Sequence, residues 1–334
     1  MATVRYRSNE SKTPLNAGSK RKVLDMAGPL PPTVRLRSGL ELPRLGLGTF
    51  QLSGRACEAA VTSALSAGYR LLDTASIYKN EEVIGAALRR WEAASQGGPQ
   101  GAALVTSKCS PCEMGAERAK AALDASLARL GREAIDLYLI HWPALPKKPH
   151  GSAEHRLARF KTWRALEDLH LSGKARAIGV SNFTAAHLQN LIDDGATILP
   201  MVNQIEAHPL FVPKETVDFC ASHDIVIQAY APLGGGPASN FAKAAGYDGT
   251  QTLLDHPIVA SIAQELGRSP AQVLLRWGLQ MGFVVIPRST CEARIAENAR
   301  IFDFELTSSQ MTRLSSIKEG AEAQKFCWDP ITVL

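Results

Sequence analysis

The sequence predicts an α/β fold, a (β/α)8 TIM barrel, and three observations predict it. Eight short apolar runs alternate with helical patterns from residue 44 to residue 300. The runs are apolar throughout rather than every second residue, as parallel strands covered on both faces are. Each run leads into a polar residue, and a barrel of this kind does its chemistry at the C-terminal ends of its strands.

The elements follow in order. Thr33–Arg37 and Glu41–Pro43 flank Ser38-Gly39 and read as a hairpin capping the bottom of the barrel. The eight expected strands are Arg44–Leu47, Tyr69–Leu72, Leu104–Thr106, Leu137–Ile140, Ala177–Val180, Met201–Val202, Ile225–Ile227 and Phe283–Ile286. Helical spacing fills the intervals at Arg55–Ala67, Glu81–Glu92, Ala116–Leu130, Glu154–Leu171, Ala185–Asp193, Pro213–Ser222, Pro257–Leu266, Pro270–Met281 and Cys291–Arg300. A helix between successive strands makes right-handed βαβ crossovers the natural connection. The strands run into Gly48-Thr49, Asp73, Lys108, His141, Ser181-Asn182, Gln204, Tyr230 and Arg288-Ser289. Such a series describes a polar mouth above an apolar barrel.

Bulk properties narrow the function. Of 334 residues, 45% are hydrophobic and 21% charged, as in ordinary globular proteins. The net charge is +5, but residues 1–32 hold Arg5, Arg7, Lys12, Lys20, Arg21 and Lys22 against Glu10 and Asp25. The body is near neutral, with 31 basic and 30 acidic residues, so nothing there argues for nucleic acid. The tail reads as a disordered basic segment, and a transit peptide directing organellar import is the sharper alternative. Residues 33–334 read as a single domain. No apolar run approaches the roughly 18 residues of a membrane span, and no signal-peptide core opens the chain. A cytoplasmic protein away from membranes is the expectation.

Six cysteines are scattered along the chain and form no disulfide framework. Cys109 and Cys112 make a C-x-x-C directly after Lys108. One reading is a redox switch whose thiolate the lysine favours; the plainer reading is two unrelated thiols. A metal site would need four ligands, and no second C-x-x-C exists. No metal is expected.

No G-x-G-x-x-G follows a strand and no G-x-x-x-x-G-K-[ST] occurs, which disfavours a doubly wound nucleotide domain and a P-loop. A phosphate site is still offered after the eighth strand. Ser289 and Glu292 have capping-box spacing, the helix they start would present free N–H groups, and Arg288 and Arg294 flank it. Two guanidinium groups suit a dianion. Tyr230 could stack on a nicotinamide ring whose carboxamide Ser181, Asn182 and Gln204 would hold.

The pattern resembles the aldo-keto reductase superfamily, in its aldose and aldehyde reductase branch. The residues that carry the resemblance are Gly46–Phe50, Leu72–Tyr78, Val105–Lys108, Asp136–Pro143, Ile178–Phe183, Val202–Glu206, Ala229–Leu233, Ile286–Ser289 and Arg294–Asn298. They occur in the family's order from about Thr33 to the C-terminus. The resemblance implies an NADPH-dependent oxidoreductase that reduces carbonyls without a Rossmann domain. It implies Tyr78 as general acid, Lys108 lowering its pKa, Asp73 pairing with Lys108, and His141 orienting the substrate carbonyl. For the cofactor it implies Thr49 and Asp73 along the nicotinamide, Ser181, Asn182 and Gln204 on the carboxamide, Tyr230 on the ring and Leu233 along the pyrophosphate. Arg288, Ser289 and Arg294 resemble the 2′-phosphate pocket, and Glu297 and Asn298 the adenine contacts.

Two positions depart from the pattern. Position 288 is commonly Lys in the family and is Arg here; position 50 is often Trp and is Phe50 here. The first keeps a cation with altered geometry, and the second removes an indole N–H from the pocket wall. Phe50, Trp142, His141, Phe326 and Trp328 are the expected substrate contacts. The long rim segments Ala144–Ala153, Leu233–Leu254 and Lys318–Leu334 would set specificity, and a monomer is the family-level expectation. Physically, the trio answers a question of acidity. A phenol near pKa 10 is a poor acid at neutral pH, a nearby cation favours the phenolate, and a buried ammonium needs a paired carboxylate. Two other classes compete: an NADPH-binding regulatory subunit on the same fold, and an aldolase-type barrel with Lys108 as a Schiff base.

Overall fold

The computed structural model describes residues 33–94, 103–235, 252–317 and 325–334. The basic tail, most of the Leu233–Leu254 segment and Lys318–Gln324 lie outside the described residues.

A hairpin comes first: β1 (Thr33–Arg35) pairs antiparallel with β2 (Glu41–Pro43). Eight parallel strands follow: β3 (Leu47–Gly48), β4 (Leu71–Asp73), β5 (Leu104–Cys109), β6 (Ile135–Ile140), β7 (Ala175–Ser181), β8 (Val202–Glu206), β9 (Val226–Tyr230) and β10 (Val284–Val285). Each pairs with its sequence neighbour, so spatial order follows chain order. A parallel bridge from Leu45 to Val285 brings the two ends of the sheet together. The Gly46 and Gly48 N–H groups donate to the Val285 and Pro287 carbonyls at 2.9 and 3.0 Å. Gly48 is required by this close approach, since a Cβ there would stand 2.8 Å from the Ile286 carbonyl oxygen.

Helices wrap the sheet: α1 (Gly54–Ser66), α2 (Glu81–Ala94), α3 (Ala116–Leu130), α4 (Glu154–Leu171), α5 (Ala185–Asp193), α6 (Lys214–Ser222), α7 (Pro257–Leu266), α8 (Pro270–Gln280), α9 (Glu292–Asn298) and α10 (Ser308–Ser315). Helix α1 shows why. Cys57, Ala60, Val61, Ala64 and Leu65 recur at three- and four-residue steps and form its buried face. They pack with the strands' outward residues in one continuous core, and each large apolar side chain so buried contributes about 1.5–3 kcal/mol.

The order of elements agrees with the sequence expectation, but several strands extend further. Asp73, Lys108 and Ser181 lie inside β4, β5 and β7 rather than just beyond them. Their backbones stay in the ladder while their side chains face the mouth; the Asp73 carbonyl accepts the Thr49 N–H at 3.0 Å and the Thr49 hydroxyl at 2.8 Å. Helix α10 was not expected. Thr307 and Gln310 close a capping box at its start.

Candidate active site

Three strands and the turns after them deliver four side chains to one point. Asp73 ends β4, and Lys108 is the fifth residue of β5. The Lys108 ammonium, fully buried, donates to Asp73 Oδ1 at 2.7 Å and to the Thr74 carbonyl at 2.8 Å. The other carboxylate oxygen, Oδ2, accepts Gln204 Nε2 from β8 at 2.6 Å, and the same nitrogen donates to Gln228 Oε1 at 2.7 Å. The Tyr78 hydroxyl lies 3.5 Å from Lys108 Nζ and 3.4 Å from His141 Nε2. His141 follows β6 directly; its Nδ1 is buried with no partner among the described residues.

Local structure holds the phenol there. Tyr78 closes a single 3₁₀ turn, Ser76–Tyr78, and Lys79 ends it in the left-handed region at φ 56°. The Ser76 hydroxyl donates to Glu113 Oε2 at 2.7 Å, and the same carboxylate oxygen accepts the Ser110 N–H at 2.7 Å. Asn80, fully buried, donates to the Thr49 and Leu52 carbonyls at 3.0 Å and accepts the Thr74 hydroxyl at 2.6 Å. The loops after β3, β4 and β5 are thereby tied into one piece. Asn80, Glu113 and Gln228 were missed by sequence reasoning; polar residues among strand ends were the only signal.

Burial dominates the electrostatics. It raises the Asp73 carboxyl and lowers the Lys108 ammonium, and the ion pair between them opposes both shifts. Burial, followed by the charges of Asp73 and Cys327, holds the Tyr78 phenol well above its ordinary range. The direction is opposite to the expected lowering by Lys108, because desolvation of the buried phenol is the largest effect and the Asp73 carboxylate adds to it. Burial and then Lys108 push His141 well down, so its imidazole is neutral.

The residues expected on the nicotinamide side are bonded to one another. The Tyr230 hydroxyl donates to Asn182 Oδ1 at 2.8 Å, and Asn182 Nδ2 donates to the His141 carbonyl and Ser181 Oγ, both at 3.0 Å. Asn182 holds φ 64°, a left-handed conformation that asparagine tolerates. Leu233 is partly buried against the core at the same rim. Beyond β10, Arg288 and Arg294 are exposed, and neither has an ion pair among the described residues; Ser289 and Glu297 are half-buried and Asn298 is buried. The expected capping box does not form. Ser289 Oγ accepts the Cys291 N–H, two residues on, at 3.1 Å, and α9 begins at Glu292 with Cys291 as its uncapped N-terminal residue. The donor chemistry of this rim, two unpaired guanidiniums on one side and an amide-hydroxyl cluster on the other, fits a phosphate and a carboxamide.

Aromatic residues ring the mouth. Phe50 packs 5.1 Å from Tyr78, and Trp328 meets Trp142 edge-on at 6.1 Å. Phe326 corrects an expectation: it is 1% exposed and lies against His208 at 5.2 Å, so it plugs the core rather than lining the pocket. The redox reading of the C-x-x-C also loses its basis. Cys109 is buried on the outward face of β5, where burial pushes its thiol up rather than down, while Cys112 is exposed and both thiols are free. Among the described residues no group of His, Cys, Asp and Glu could hold a metal, and no helix is long and apolar enough to cross a membrane.

Another histidine near this rim gives a stability prediction. Burial lowers His187 to about 4. Its neutral ring accepts the Thr184 N–H at Nδ1, 3.1 Å, and donates Nε2–H to the Val333 carbonyl, 2.7 Å. Below the unfolded pKa near 6.5 the unfolded chain takes up a proton that the folded ring refuses. The contribution of this group is therefore flat above pH 7 and falls from pH 6.5 toward 4, by up to about 1.4 kcal/mol per pH unit. Urea unfolding at several pH values checks this: His187→Gln should flatten the slope, and an unchanged slope would assign it elsewhere.

The Aldo/keto reductase family model matches residues 44–319. The uncharacterized oxidoreductase YtbE of Bacillus subtilis (strain 168) is 42% identical over 287 residues, covering 85% of this chain and 92% of that protein. Glyoxal reductase of the same organism is 41% identical over 288 residues, covering 86% and 93%. A crystal structure of an aldo/keto reductase from Brucella melitensis superposes with TM-score 0.72 at 38% identity, covering 86% of this chain and 99% of that one.

Proposed function

Because this chain belongs to the aldo/keto reductase family, and is thereby an oxidoreductase, we propose that it reduces aldehydes and ketones to alcohols with NADPH, Tyr78 being the proton donor. The observation that carries the reading is the meeting of Tyr78 Oη with Lys108 Nζ at 3.5 Å and His141 Nε2 at 3.4 Å, above the buried Asp73–Lys108 pair.

The nicotinamide, when bound, supplies a hydride to the carbonyl carbon. The chain's own residues do the rest. His141, neutral, can donate Nε2–H to the carbonyl oxygen and hold it beside the phenol. Tyr78 gives that oxygen its proton, and burial, which disfavours the phenolate, favours the protonated phenol before transfer. Lys108 steadies the phenolate left behind, and Asp73 with Gln204 keeps the lysine aimed. Thr49 and Asp73 would flank the nicotinamide, Ser181, Asn182 and Gln204 its carboxamide, and Tyr230 its face. Leu233 would lie along the pyrophosphate, Arg288, Ser289 and Arg294 would take the 2′-phosphate, and Glu297 and Asn298 the adenine. Phe50, Trp142 and Trp328 favour an apolar or aromatic substrate; the relative named glyoxal reductase keeps small dicarbonyls in view.

The Schiff-base alternative is disfavoured, because Lys108 spends its ammonium on Asp73 and Thr74. A purely regulatory NADPH binder would keep the cofactor residues and show no turnover. A panel of carbonyl compounds assayed for NADPH oxidation tests the reading; binding without turnover on any of them would sink it.

The phosphate side has its own test. Each charge-assisted bond to a 2′-phosphate is worth about 1.5–3 kcal/mol. Arg294→Ala should raise the NADPH Kd at least about tenfold and leave NADH nearly unchanged. Fluorescence titration measures both, and equal losses would count against this phosphate pocket.

A further inference from the structure

Glu206 ends β8, two residues after Gln204 and on the same face of the strand. It is 1% exposed, yet among the described residues it bonds none of the four side chains of the candidate centre. Its carboxylate instead collects the start of the C-terminal segment. Oε1 accepts the Phe326 N–H at 2.6 Å and His208 Nε2 at 3.1 Å; Oε2 accepts Lys325 Nζ at 2.8 Å and the Cys327 N–H at 3.0 Å. Four donors fill the carboxylate's accepting directions. Despite burial, His208 and Lys325 hold it down to about 2, so it is ionised.

The Phe326 ring completes the anchor. A Cβ on Gly235 would stand 2.6 Å from it, so only glycine lets the ring seat there. The far end of the segment is tied separately. The Val333 carbonyl accepts His187 Nε2 at 2.7 Å, the Leu334 N–H donates to the His150 carbonyl at 3.0 Å, and the Leu334 carbonyl accepts Arg159 Nη1 at 2.7 Å. Residues 327–332 are therefore strung between two fixed points. Cys327 lies near enough to the Tyr230 phenol for each to raise or lower the other's acidity, and Trp328, 67% exposed, stands edge-on to Trp142.

We propose that Glu206 is a positioning residue: it clamps the C-terminal segment across the mouth and so sets, through Cys327 and Trp328, the wall against which bulky aromatic carbonyls bind. A small aldehyde reaches Tyr78 without touching that wall; a large flat one needs it. The substrate side of this inference rests on the carbonyl-reductase reading, whereas the clamp rests on geometry alone.

Glu206→Gln in the full chain tests it. The amide keeps the shape but loses the charge and one accepting oxygen, so one main-chain N–H, together with either Lys325 or His208, loses its acceptor. Amide hydrogen exchange across residues 325–334 should quicken about tenfold or more, with the barrel strands unchanged. KM for 2-naphthaldehyde should rise about tenfold or more while kcat/KM for propanal and the NADPH Kd stay within roughly threefold. Lys325→Met, a milder change at a partly exposed side chain, should move both readouts in the same direction by less, and serves if the glutamine variant folds poorly. Unchanged exchange at 325–334, or equal losses with both aldehydes, would overturn the clamp. A wild-type protein that oxidises NADPH with neither aldehyde would instead sink the reductase reading, and the exchange measurement would still decide for or against the clamp.

Discussion

Tyr78→Phe is expected to lower kcat by about 10²–10⁴-fold, the usual worth of a positioned acid, while the Kd for NADPH stays within about twofold. Only one oxygen is removed. The ring keeps its 5.1 Å contact with Phe50, and the Asp73–Lys108 pair is untouched. The lost group is the one atom near both Lys108 Nζ and His141 Nε2. Because burial holds the phenol well above its ordinary range, the wild-type donor is loaded at neutral pH. Its removal is then a loss of the proton itself, which a substrate at higher concentration cannot restore. Steady-state rates and a fluorescence titration separate the two effects. A variant keeping more than about a tenth of wild-type kcat would assign the proton to another group.

Asp73→Asn should destabilise the fold by about 3–5 kcal/mol, because it strands a fully buried ammonium without its counter-charge. The pair is not itself a large source of stability, since taking two charges out of water costs about as much as their attraction returns. The double variant Asp73→Asn/Lys108→Met should therefore recover most of the loss. Urea unfolding of the two single variants and the double forms a thermodynamic cycle. If the double variant loses the sum of the singles, the two groups are not coupled. Activity distinguishes the same proteins differently: the double variant should be stable and still poor at turnover, since Tyr78 has lost its neighbouring cation.

The barrel and its strand order were legible because apolar runs and turn residues are local signals. Strand ends were less so. Asp73 and Lys108 belong to their strands by backbone pairing, which hydropathy does not register. The four central side chains were readable from their types and from the resemblance, but the network holding them was not. Gln204 meets Asp73 across 131 residues of chain, and Ser76 meets Glu113 across 37. Glu206 closes the Val202–Glu206 motif, yet nothing in that motif announces that three of its four donors lie 119 to 121 residues later. Phe326 was misread because an aromatic near a rim can as well be a plug as a wall. At Ser289 the spacing of a capping box was present, but a tighter local turn took the hydroxyl first.

The seam of the barrel has a consequence for how the molecule comes into being. Strands β4 to β9 join neighbours close in sequence, so the chain can zip them together as a curved, open sheet. The last join unites Leu45 with Val285, and loop-closure entropy opposes so distant a contact. Arg288 and Arg294 lie just past that join. In a half-zipped sheet, Asp73 and Lys108 already face each other on adjacent strands, while the cationic side of the mouth has no fixed relation to them. A ligand spanning both sides would then act as a rivet: by mass action it favours the closed ring over every open form, without touching the strands that close last.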